Sequence, residues 1–476
     1  IIPFRRVTDA TLVANERNYA SSVGDHDQIQ LAFDKLYFLS DDYYASPMPY
    51  PWQGHELYLP QYAIGRLVES PSEIVAYIDT FLAQPVLEPD DAIITGYDFL
   101  IDEAEAISET LSIQGGAGFT QETMINDSWT STDFRNTLFT RPQSYALLSL
   151  NSHFSHNSFY PNNVGDDVLA SEVTVDTDYS NVLAFSVGCH SGLNVADYET
   201  AVGTDWPQAF GRQGASLFGN TGYGYGDSDL IAYSEALMVN FVEELGYNDG
   251  DLPTTGQAML RAKQRYFNSA AGGTLSVYDE KVLAEMTLYG LPMQAISMSN
   301  QTTTPPGDGA LVSLSLNRST AQSAQGEQFT FDYEAHDAPD DRGTYYTLAG
   351  EREILITGGR PVQPRVSTPI ETIDNEIAHG VLWLGGSFTD IPNFDPVVSD
   401  IISEENSLLV ESDYPIAQFY PLQTASINRF LTVDGTMHQR LVLSPGQFQA
   451  DPSSTPTVGT QRLYDSLNMQ IYTMYQ

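Results

Sequence analysis

The sequence contains very little cysteine and no long apolar run. Cys189 is the one cysteine among 476 residues, so an internal disulfide framework and a metal site built from several thiolates are both excluded. No apolar run approaches the roughly 18 residues that a membrane-spanning helix needs, and no basic segment followed by an apolar one opens the chain as a signal peptide would. We therefore expect no membrane span, and the single thiol becomes the first candidate for chemistry.

Basic residues are also scarce. The chain has 62 acidic residues against 20 basic ones, a net charge of −42, and its lysines are Lys35, Lys263 and Lys281. Such an acidic surface repels nucleic acid phosphates and anionic membranes, so we expect neither as a partner. The composition is typical of a secreted or salt-adapted microbial protein, and equally of ordinary surface solvation.

Residues 1–297 alternate strand-like and helix-like segments. In "SPSEIVAYIDTFLAQ", Ser70, Pro71 and Glu73 are typical of a helix start with a capping box. Strands are predicted in "DDAIITGYDF", "SYALLSLNSHFS", "NVLAFSVGCHSG" and "GASLFGNTGYGYG", and helices in "IDEAEAISETLSIQ" and, capped by Ser228 or Asp229, in "SDLIAYSEALMVNFVEELG". This alternation predicts an α/β domain with a mostly parallel sheet flanked by helices.

The character of the chain changes after residue 297. Residues 298–308 form a polar, Pro- and Gly-containing linker, and residues 309–476 contain short alternating runs such as "EQFTFDYEA" and "QRLVLSPG". That pattern predicts an all-β sandwich, immunoglobulin-like or larger, because one immunoglobulin-like module needs only about 100 residues.

The thiol follows a predicted buried strand and lies among small residues. Parallel strands present their carboxyl ends at one edge of a sheet, so Cys189 and His153, which follow neighbouring strands, are expected to face each other. A thiol attacks as the thiolate and therefore needs a base, for which His153 and His156 are the candidates. His190 would project to the opposite side if the strand pleat persists. The alternative is a small buried thiol beside a solvated histidine.

The stretch "FSVGCHSGLNV", preceded by a strand that ends in histidine, resembles the gingipain family of clan CD, caspase-like cysteine peptidases. Three further stretches resemble the family in the expected order: "YAIGRLVESPSEIVAYIDTFL", "QGASLFGNTGYGYG" and "MTLYGLPM". The resemblance covers roughly residues 1–297. It implies a caspase-like fold and a secreted cysteine endopeptidase, outside the cell or on its surface, that acts on proteins or peptides without a required cofactor.

The resemblance also implies roles for individual residues. Cys189 matches the nucleophile and His153 the base, with Gly188 in the region that binds the oxyanion. The family usually has glycine after this histidine, whereas this chain has Phe154, so His156 stays open as the base. Asp98 matches an acidic residue that would orient the imidazole ring.

Substrate recognition is implied at three further positions. Asp102 falls where the family places an acid that binds a basic P1 side chain, although it could equally cap the following helix. Tyr223 and Tyr225 match a loop that walls the specificity pocket, and we expect them to be exposed. The resemblance further implies that the domain lacks its first βα units here, so a further N-terminal segment or a second chain is expected.

Two other functions remain open from the sequence. The chain could be a non-catalytic surface or assembly protein on a peptidase-like scaffold, or a carbohydrate-binding adhesive protein that uses its C-terminal strands. Structural Ca²⁺ could bind acid pairs through oxygen ligands, although EF-hand spacing is absent. These pairs are Asp90–Asp91, Asp166–Asp167 and Asp340–Asp341.

Overall fold

A computed structural model describes most of the chain. The described residues are 4–8, 15–24, 27–52, 54–161, 166–196, 203–269, 275–307, 314–315, 325–339, 342–371, 376–403, 406–408, 418–432, 435–451 and 458–475. The chain divides into two compact units. The first comprises Ile1–Gln264, Val277–Pro306 and Ile402–Leu408, and the second comprises Arg265–Ser276, Gly307–Ile401 and Leu409–Gln476.

A six-stranded sheet forms the centre of the first unit. Its strands are β1 (Asp91–Gly96), β2 (Thr120–Ile125), β3 (Leu147–Leu150), β4 (Leu183–Phe185), β5 (Ser216–Asn220) and β6 (Met286–Tyr289). The order across the sheet is β6-β5-β4-β3-β1-β2, and every pair is parallel except β5 with β6. The predicted α/β class with a mostly parallel sheet is therefore confirmed.

Helices surround this sheet. In the described residues the α-helices are Asp27–Asp34, Asp42–Ala45, Pro71–Ala83, Ile101–Gly115, Ser131–Leu138, Trp206–Arg212, Tyr233–Leu245, Thr255–Asn268 and Val277–Glu285. Short 3₁₀ helices span Glu16–Val23, Asp98–Leu100, Gly116–Gly118 and Ala170–Glu172. Strands β3 and β4 are buried along their whole length because helices cover a parallel sheet on both faces.

Two helix starts test the sequence-based expectations. The capping box predicted before Pro71–Ala83 is confirmed, because Ser70 Oγ accepts the Glu73 N–H and the Glu73 carboxylate accepts the Ser70 N–H. The prediction for Tyr233–Leu245 is wrong, since its N-cap is Ala232 and neither Ser228 nor Asp229. There the Glu235 carboxylate accepts the Ala232 N–H at 3.0 Å, so this backbone donor at the helix start has a hydrogen-bond partner.

The remaining strands have two to four residues in the first unit, and in the second unit they range from two to nineteen. In chain order they are Arg5–Thr8, Tyr37–Ser40, Tyr50–Trp52, His55–Leu57, Val86–Leu87, His153–Phe154, Ser158–Tyr160, Val168–Leu169, Ala295–Ile296, Leu314–Ser315, Gln325–Thr330, Tyr333–Asp337, Thr344–Leu348, Ile354–Leu355, Gln363–Pro364, Val366–Glu371, Glu376–Phe394, Ile401–Ser403, Asn406–Leu408, Ala425–Leu431, Met437–Leu443, Gly446–Ala450 and Gly459–Tyr475.

The second unit is β-rich. One four-stranded sheet contains Val366–Glu371 and Met437–Leu443, and another contains the long antiparallel pair Glu376–Phe394 and Gly459–Tyr475. Buried apolar side chains from both sheets contact one another in a single cluster. The β-sandwich expected for residues 309–476 and the domain bounds stay predictions.

Candidate active site

Three neighbouring parallel strands bring the predicted catalytic residues to one edge of the sheet. Asp98 follows β1, His153 follows β3 and Cys189 follows β4. These strands are adjacent in the order β4-β3-β1, so their carboxyl ends lie side by side. The expected meeting of the three segments follows from this topology.

Asp98 contacts the imidazole ring directly. Its Oδ2 lies 3.2 Å from His153 Nε2, and this hydrogen bond lowers the pKa of the Asp98 carboxyl. The Asp98 backbone has the unusual φ of +56°, and its N–H donates to Asp127 Oδ1 at 2.9 Å. The rings of Tyr97 and Phe99 contact His153 at centroid distances of 5.7 and 6.2 Å. The imidazole is therefore held both by a carboxylate and by two aromatic rings.

His153 and Cys189 line the same small pocket. The pocket lies wholly within the first unit. Its walls are Phe99, Leu100, Ser152, His153, Val187, Gly188, Cys189, Gly224 and Tyr225. The pocket thus combines a thiol and an imidazole with apolar and aromatic walls.

Cys189 itself is 4% exposed. Its Sγ lies 3.3 Å from the backbone nitrogen of Gly224, whose N–H is directed at the sulfur. The sulfur also lies 3.8 Å from the Gly224 carbonyl oxygen, to which a protonated thiol donates. The N–H directed at sulfur favours the thiolate, whereas the carbonyl contact and the burial of Cys189 favour the protonated thiol.

Phe154 and Gly188 fit each other. A Cβ on Gly188 would lie 2.3 Å from the Phe154 ring, so only glycine leaves room for that ring. Phe154 is buried against Phe159 and Trp206 at centroid distances of 4.6 and 5.5 Å. The phenylalanine that departs from the family pattern thus packs behind the nucleophile segment and leaves His153 in the pocket.

Gly188 lies in the region expected to bind the oxyanion, and that role stays a prediction. Its N–H donates to Ser186 Oγ at 3.0 Å. The Gly188 carbonyl accepts a hydrogen bond from Ser191 Oγ at 2.8 Å. These two hydrogen bonds fix the backbone of Gly188 beside the nucleophile.

The alternative base, His156, lies elsewhere. It is 2% exposed, is not among the described residues that line the pocket, and its Nδ1 lies 2.7 Å from the Tyr19 hydroxyl. Burial, aided by the nearby charge of His190, lowers the pKa of His156 to about 4. A neutral, enclosed imidazole that is bound to a phenol is poorly placed to exchange protons with Cys189.

His190 faces away from the pocket, although not for the reason expected. The strand β4 ends at Phe185, so the pleat does not continue to His190. Instead His190 has a left-handed backbone with φ +59°, and its Nε2 lies 2.7 Å from Glu16 Oε2. Its ring is stacked on Tyr19 at 3.4 Å. His190 is therefore fixed behind the nucleophile.

Asp102 lies in the first turn of helix Ile101–Gly115, whose N-cap is Leu100. It is not among the described residues that line the pocket, whereas Phe99 and Leu100 are. Burial, with Asp227 and Asp229 nearby, raises the pKa of Asp102 to about 7. Asp102 is therefore not the N-cap residue, although its Oδ1 accepts the first-turn N–H of Glu103 at 2.7 Å, and the specificity role stays a prediction.

Asp102 belongs to a group of buried carboxylates. Glu103 is fully buried, and neither of its carboxylate oxygens has a hydrogen-bond partner in the described part of the chain. Burial raises the pKa of Glu103 and of Glu235 well above the usual range. A Cβ on Gly226 would lie within 2.7 Å of both Glu235 and the pocket residue Phe99, so this acidic group borders the pocket wall.

Both tyrosines of the Gly-rich loop are buried, which corrects the expectation that they are exposed. Tyr223 and Tyr225 are 2% and 1% exposed. Tyr225 lines the pocket, whereas Tyr223 packs against His190 at a centroid distance of 4.7 Å. The loop is enclosed because Lys281 lies over both rings, 5.8 and 5.4 Å from their centroids. One tyrosine thus walls the pocket and the other supports the nucleophile segment.

Sequence patterns did not indicate Glu16 or Gly224. Glu16 lies in an N-terminal 3₁₀ helix, far along the chain from the residues that it contacts. A Cβ at Gly224 would lie 2.1 Å from the Val187 carbonyl oxygen, so the position requires glycine. The sequence shows this requirement only as the repeated glycine in "GYGYG". A glycine where two backbones approach closely is the kind of signal that could have found it.

The expected calcium pairs have varied surroundings. Asp91 accepts hydrogen bonds from Arg141 and from the Ala146 N–H, and Asp340–Asp341 lies outside the described residues. In the described ranges no group of three or more His, Cys, Asp or Glu residues has the arrangement of a metal site. Within the same ranges no helix combines the length and apolarity that crossing a bilayer requires.

Comparisons with known proteins identify similar solved structures, whereas no family model and no curated protein matches the chain. Gingipain R, an Arg-specific cysteine proteinase, is 16% identical with a TM-score of 0.38, over 66% of this chain and 71% of that chain. A structure of gingipain K from Porphyromonas gingivalis that concerns zymogenic latency is 11% identical with a TM-score of 0.24, over 33% of this chain and 96% of that chain.

A third similar structure is the Saccharomyces cerevisiae separase–securin complex, which is 13% identical with a TM-score of 0.33, over 50% of this chain and 14% of that chain. The gingipain resemblance predicted from the sequence thus recurs among solved structures. Because these TM-scores and identities are low, the functional argument rests on the geometry of the site.

Proposed function

We propose that this chain is a cysteine endopeptidase with Cys189 as the nucleophile and His153 as the general base and acid. One observation carries the proposal: both side chains line one pocket, while Asp98 holds a nitrogen of the imidazole. A thiol, an imidazole and an orienting carboxylate are the groups that acyl transfer to cysteine requires.

The proposed reaction begins when the Cys189 thiol passes its proton to His153 and the thiolate attacks the carbonyl carbon of the peptide bond. The N–H of Gly224 stabilises the charge on sulfur. His153 gives the proton to the departing amine, which leaves a thioester on Cys189. Water then attacks the thioester and passes a proton to His153, and the acid product leaves as the thiol is restored.

Two neighbouring groups complete the proposed reaction. Asp98 binds Nε2 of His153, so Nδ1 is the nitrogen that would exchange the proton with sulfur or with the amine. The backbone around Gly188 and Cys189 is the proposed region that binds the oxyanion. The proposed reaction uses no metal and no other cofactor, so chelation by EDTA is expected to leave peptide turnover unchanged.

We propose further that a basic P1 residue is preferred. A group of acidic residues borders the wall of the pocket that contains Phe99 and Tyr225. The group consists of Asp102, Asp227, Asp229 and Glu235. A guanidinium or ammonium group nearby would return these carboxylates to their ionised form. Turnover of peptides that differ only in Arg, Lys, Ala or Asp at P1 tests this preference, and equal rates for Arg and Ala would contradict it.

One observation favours a second candidate, a non-catalytic surface or assembly protein. Cys189 is only 4% exposed, as expected of a thiol that serves as a small core residue. Alkylation separates the two functions, because a catalytic thiol reacts with iodoacetamide near pH 7 while a structural one reacts only after unfolding.

We also propose that the protein acts on peptides or proteins outside the cell or at its surface. The acidic composition and the sequence resemblance support this location. Fractionation of producing cells should place the protein in the medium or on the cell surface, and recovery from the cytosol alone would contradict the proposal.

A further inference from the structure

A second carboxylate–histidine pair lies directly behind the nucleophile. The fully buried Glu16 carboxylate lies 2.7 Å from His190 Nε2 and accepts a hydrogen bond from Lys281 Nζ at 2.6 Å. Lys281 also pairs with Glu285 at 3.3 Å. We name these four side chains the rear charge cluster. Its members come from an N-terminal 3₁₀ helix, the nucleophile segment and helix Val277–Glu285.

The rear charge cluster reaches the sulfur through two backbone segments. His190 directly follows Cys189, so the contact between His190 and Glu16 fixes one side of the nucleophile. On the other side, Glu16 Oε1 accepts the N–H of Tyr223 at 3.2 Å. The next residue, Gly224, directs its N–H at Cys189 Sγ. A single carboxylate therefore contacts both segments that define the surroundings of the sulfur.

The backbone at His190 shows that these contacts hold a disfavoured conformation. Its φ of +59° lies in the left-handed region, which is uncommon for residues other than glycine, although asparagine, aspartate and histidine adopt it more often than most. Three contacts maintain it: the bond to Glu16, stacking on Tyr19 at 3.4 Å, and donation of its N–H to the Gly222 carbonyl at 2.7 Å. Loss of the Glu16 contact removes the charged member of this set.

Glycines on both sides of Tyr223 bring the backbone against the cluster. A Cβ on Gly222 would lie 2.4 Å from Glu16 Oε1, and one on Gly224 would lie 2.1 Å from the Val187 carbonyl oxygen. The segment therefore rests against Glu16 with no space for a larger group. A change at Glu16 must be transmitted to the Gly224 N–H.

We propose that Glu16 is a positioning residue for the nucleophile: it holds His190 and Tyr223 so that the Gly224 N–H stabilises the Cys189 thiolate. The inference rests on the proposed function for the identity of the reaction. The ionisation of the thiol, however, can be measured without any peptide substrate. In the described part of the chain, the titratable side chains that face Cys189 or its neighbour His190 include His153, Tyr225, Tyr19, Tyr223 and the rear charge cluster.

The test uses the fact that Cys189 is the one cysteine of the chain, so alkylation reports on a single thiol. The rate of reaction with iodoacetamide is measured against pH for the full chain and for Glu16→Gln. We expect the midpoint of the profile to rise by about one pH unit, so that alkylation below the midpoint slows about tenfold while the rate at high pH is unchanged.

Asp42→Asn is the matched control. Asp42 is also a buried carboxylate in the first unit, paired with Lys263 at 2.8 Å, and it does not contact the nucleophile segment in the described residues. It should destabilise the fold without moving the alkylation midpoint. A Glu16→Gln midpoint that is unchanged, or that falls because only the buried negative charge is felt, overturns the inference, as does an equal rise in Asp42→Asn.

His190→Asn decides the question if Glu16→Gln does not fold. Asparagine tolerates the left-handed backbone, but its amide is too short to reach Glu16. The same upward shift supports the inference, and an unshifted profile overturns it. Peptide turnover measured alongside separates the two proposals. If the alkylation midpoint shifts in the variant but the unchanged chain hydrolyses no peptide, only the proposed function is refuted. If the unchanged chain hydrolyses peptide but the midpoint does not shift in the variant, only the role of Glu16 is refuted.

Discussion

The first unit contains two carboxylate–histidine pairs whose surroundings differ. At the pocket, Asp98 and His153 are 3.2 Å apart, and the carboxylate side chain is 58% exposed. Behind the nucleophile, Glu16 and His190 are 2.7 Å apart and fully buried, and Lys281 contributes a third charge. The first pair can meet a substrate and exchange protons, whereas the second can only fix the backbone around it. Exposure, and not residue type, separates the two roles.

The electrostatics of the two carboxylates differ as well. A hydrogen bond from His153 lowers the pKa of Asp98. Burial alone would raise the pKa of Glu16, but Lys281 and His190 lower it to about 2. Because the folded pKa is depressed, this stabilisation is complete above pH 4.5 and is lost as the pH falls toward 2. Glu16 thus stays ionised throughout the pH range in which a peptidase would work.

The largest expected effect concerns the choice of histidine. His153→Ala should lower kcat for peptide hydrolysis by about 10³-fold, because it removes the proposed base and acid. His156→Phe should change kcat by less than about threefold, since that ring lies beside Tyr19 and away from the pocket. Steady-state kinetics with one fluorogenic peptide measure both. If His156→Phe lowers kcat more than His153→Ala does, in samples with the same folded fraction, the assignment of His153 as the base is wrong.

The second prediction separates stability from activity. Glu16→Ala should cost about 3–5 kcal/mol of unfolding free energy, because it leaves Lys281 buried without its main counter-charge. Asp98→Asn should cost at most about 1 kcal/mol, since the exposed pair is screened by solvent. Asp98→Asn should nevertheless slow turnover, because His153 loses its orienting charge. Urea unfolding and kinetics on the same samples check this, and equal stability losses would break the comparison.

Much of this arrangement could be predicted from the sequence, for identifiable reasons. Alternating strand and helix patterns indicated the parallel sheet, and the carboxyl-end rule then brought Asp98, His153 and Cys189 to one edge. The orientation of Asp98 toward the imidazole came from the family resemblance. These predictions depend on local segments whose order along the sheet is simple.

The remainder depended on contacts between residues distant in sequence. Glu16 lies 174 positions from His190, so no local pattern indicated their contact. The burial of Tyr223 and Tyr225 could not be predicted either, because glycine-rich loops are usually exposed and here Lys281 lies over both rings. The hydrogen bond from the Gly188 N–H to Ser186 Oγ was likewise not indicated by the sequence.

A third, smaller effect concerns the fit between Gly188 and Phe154. Gly188→Ala should destabilise the fold by about 1–3 kcal/mol, because the added methyl group would overlap the phenylalanine ring. The same change should cost less in a Phe154→Ala background, since the ring is then absent. Thermal unfolding of the four chains of this double-mutant cycle measures the coupling, and strictly additive losses would show that the contact is unimportant.

The smallest expected effect is a pH dependence of specificity. The pKa of Asp102 is raised to about 7, so the carboxyl is protonated below that pH and ionised above it. The preference for Arg over Ala at P1, measured as a ratio of kcat/KM, should rise about tenfold between pH 6 and pH 8. Asp102→Asn should flatten this dependence. A ratio that keeps its full pH dependence in Asp102→Asn would exclude Asp102 as the cause.

The raised pKa also sets the sign of a stability effect. Because folded Asp102 holds its proton up to about pH 7 while the unfolded chain releases it near the ordinary value, stability should fall as the pH rises between those values. His156 acts in the opposite sense, since its lowered pKa makes the fold lose stability as the pH falls from 6.5 toward 4. Replacing Asp102 or His156 separately should remove the part of the dependence of stability on pH that the replaced group causes.

The most direct test of the central claim is covalent capture of the single thiol. A peptidyl acyloxymethyl ketone with arginine at P1 is incubated with the chain, and the product is located by peptide mass spectrometry. The account predicts one adduct on Cys189, much slower labelling of His153→Ala, and loss of peptide hydrolysis in Cys189→Ala. Hydrolysis that continues unchanged in Cys189→Ala would contradict it.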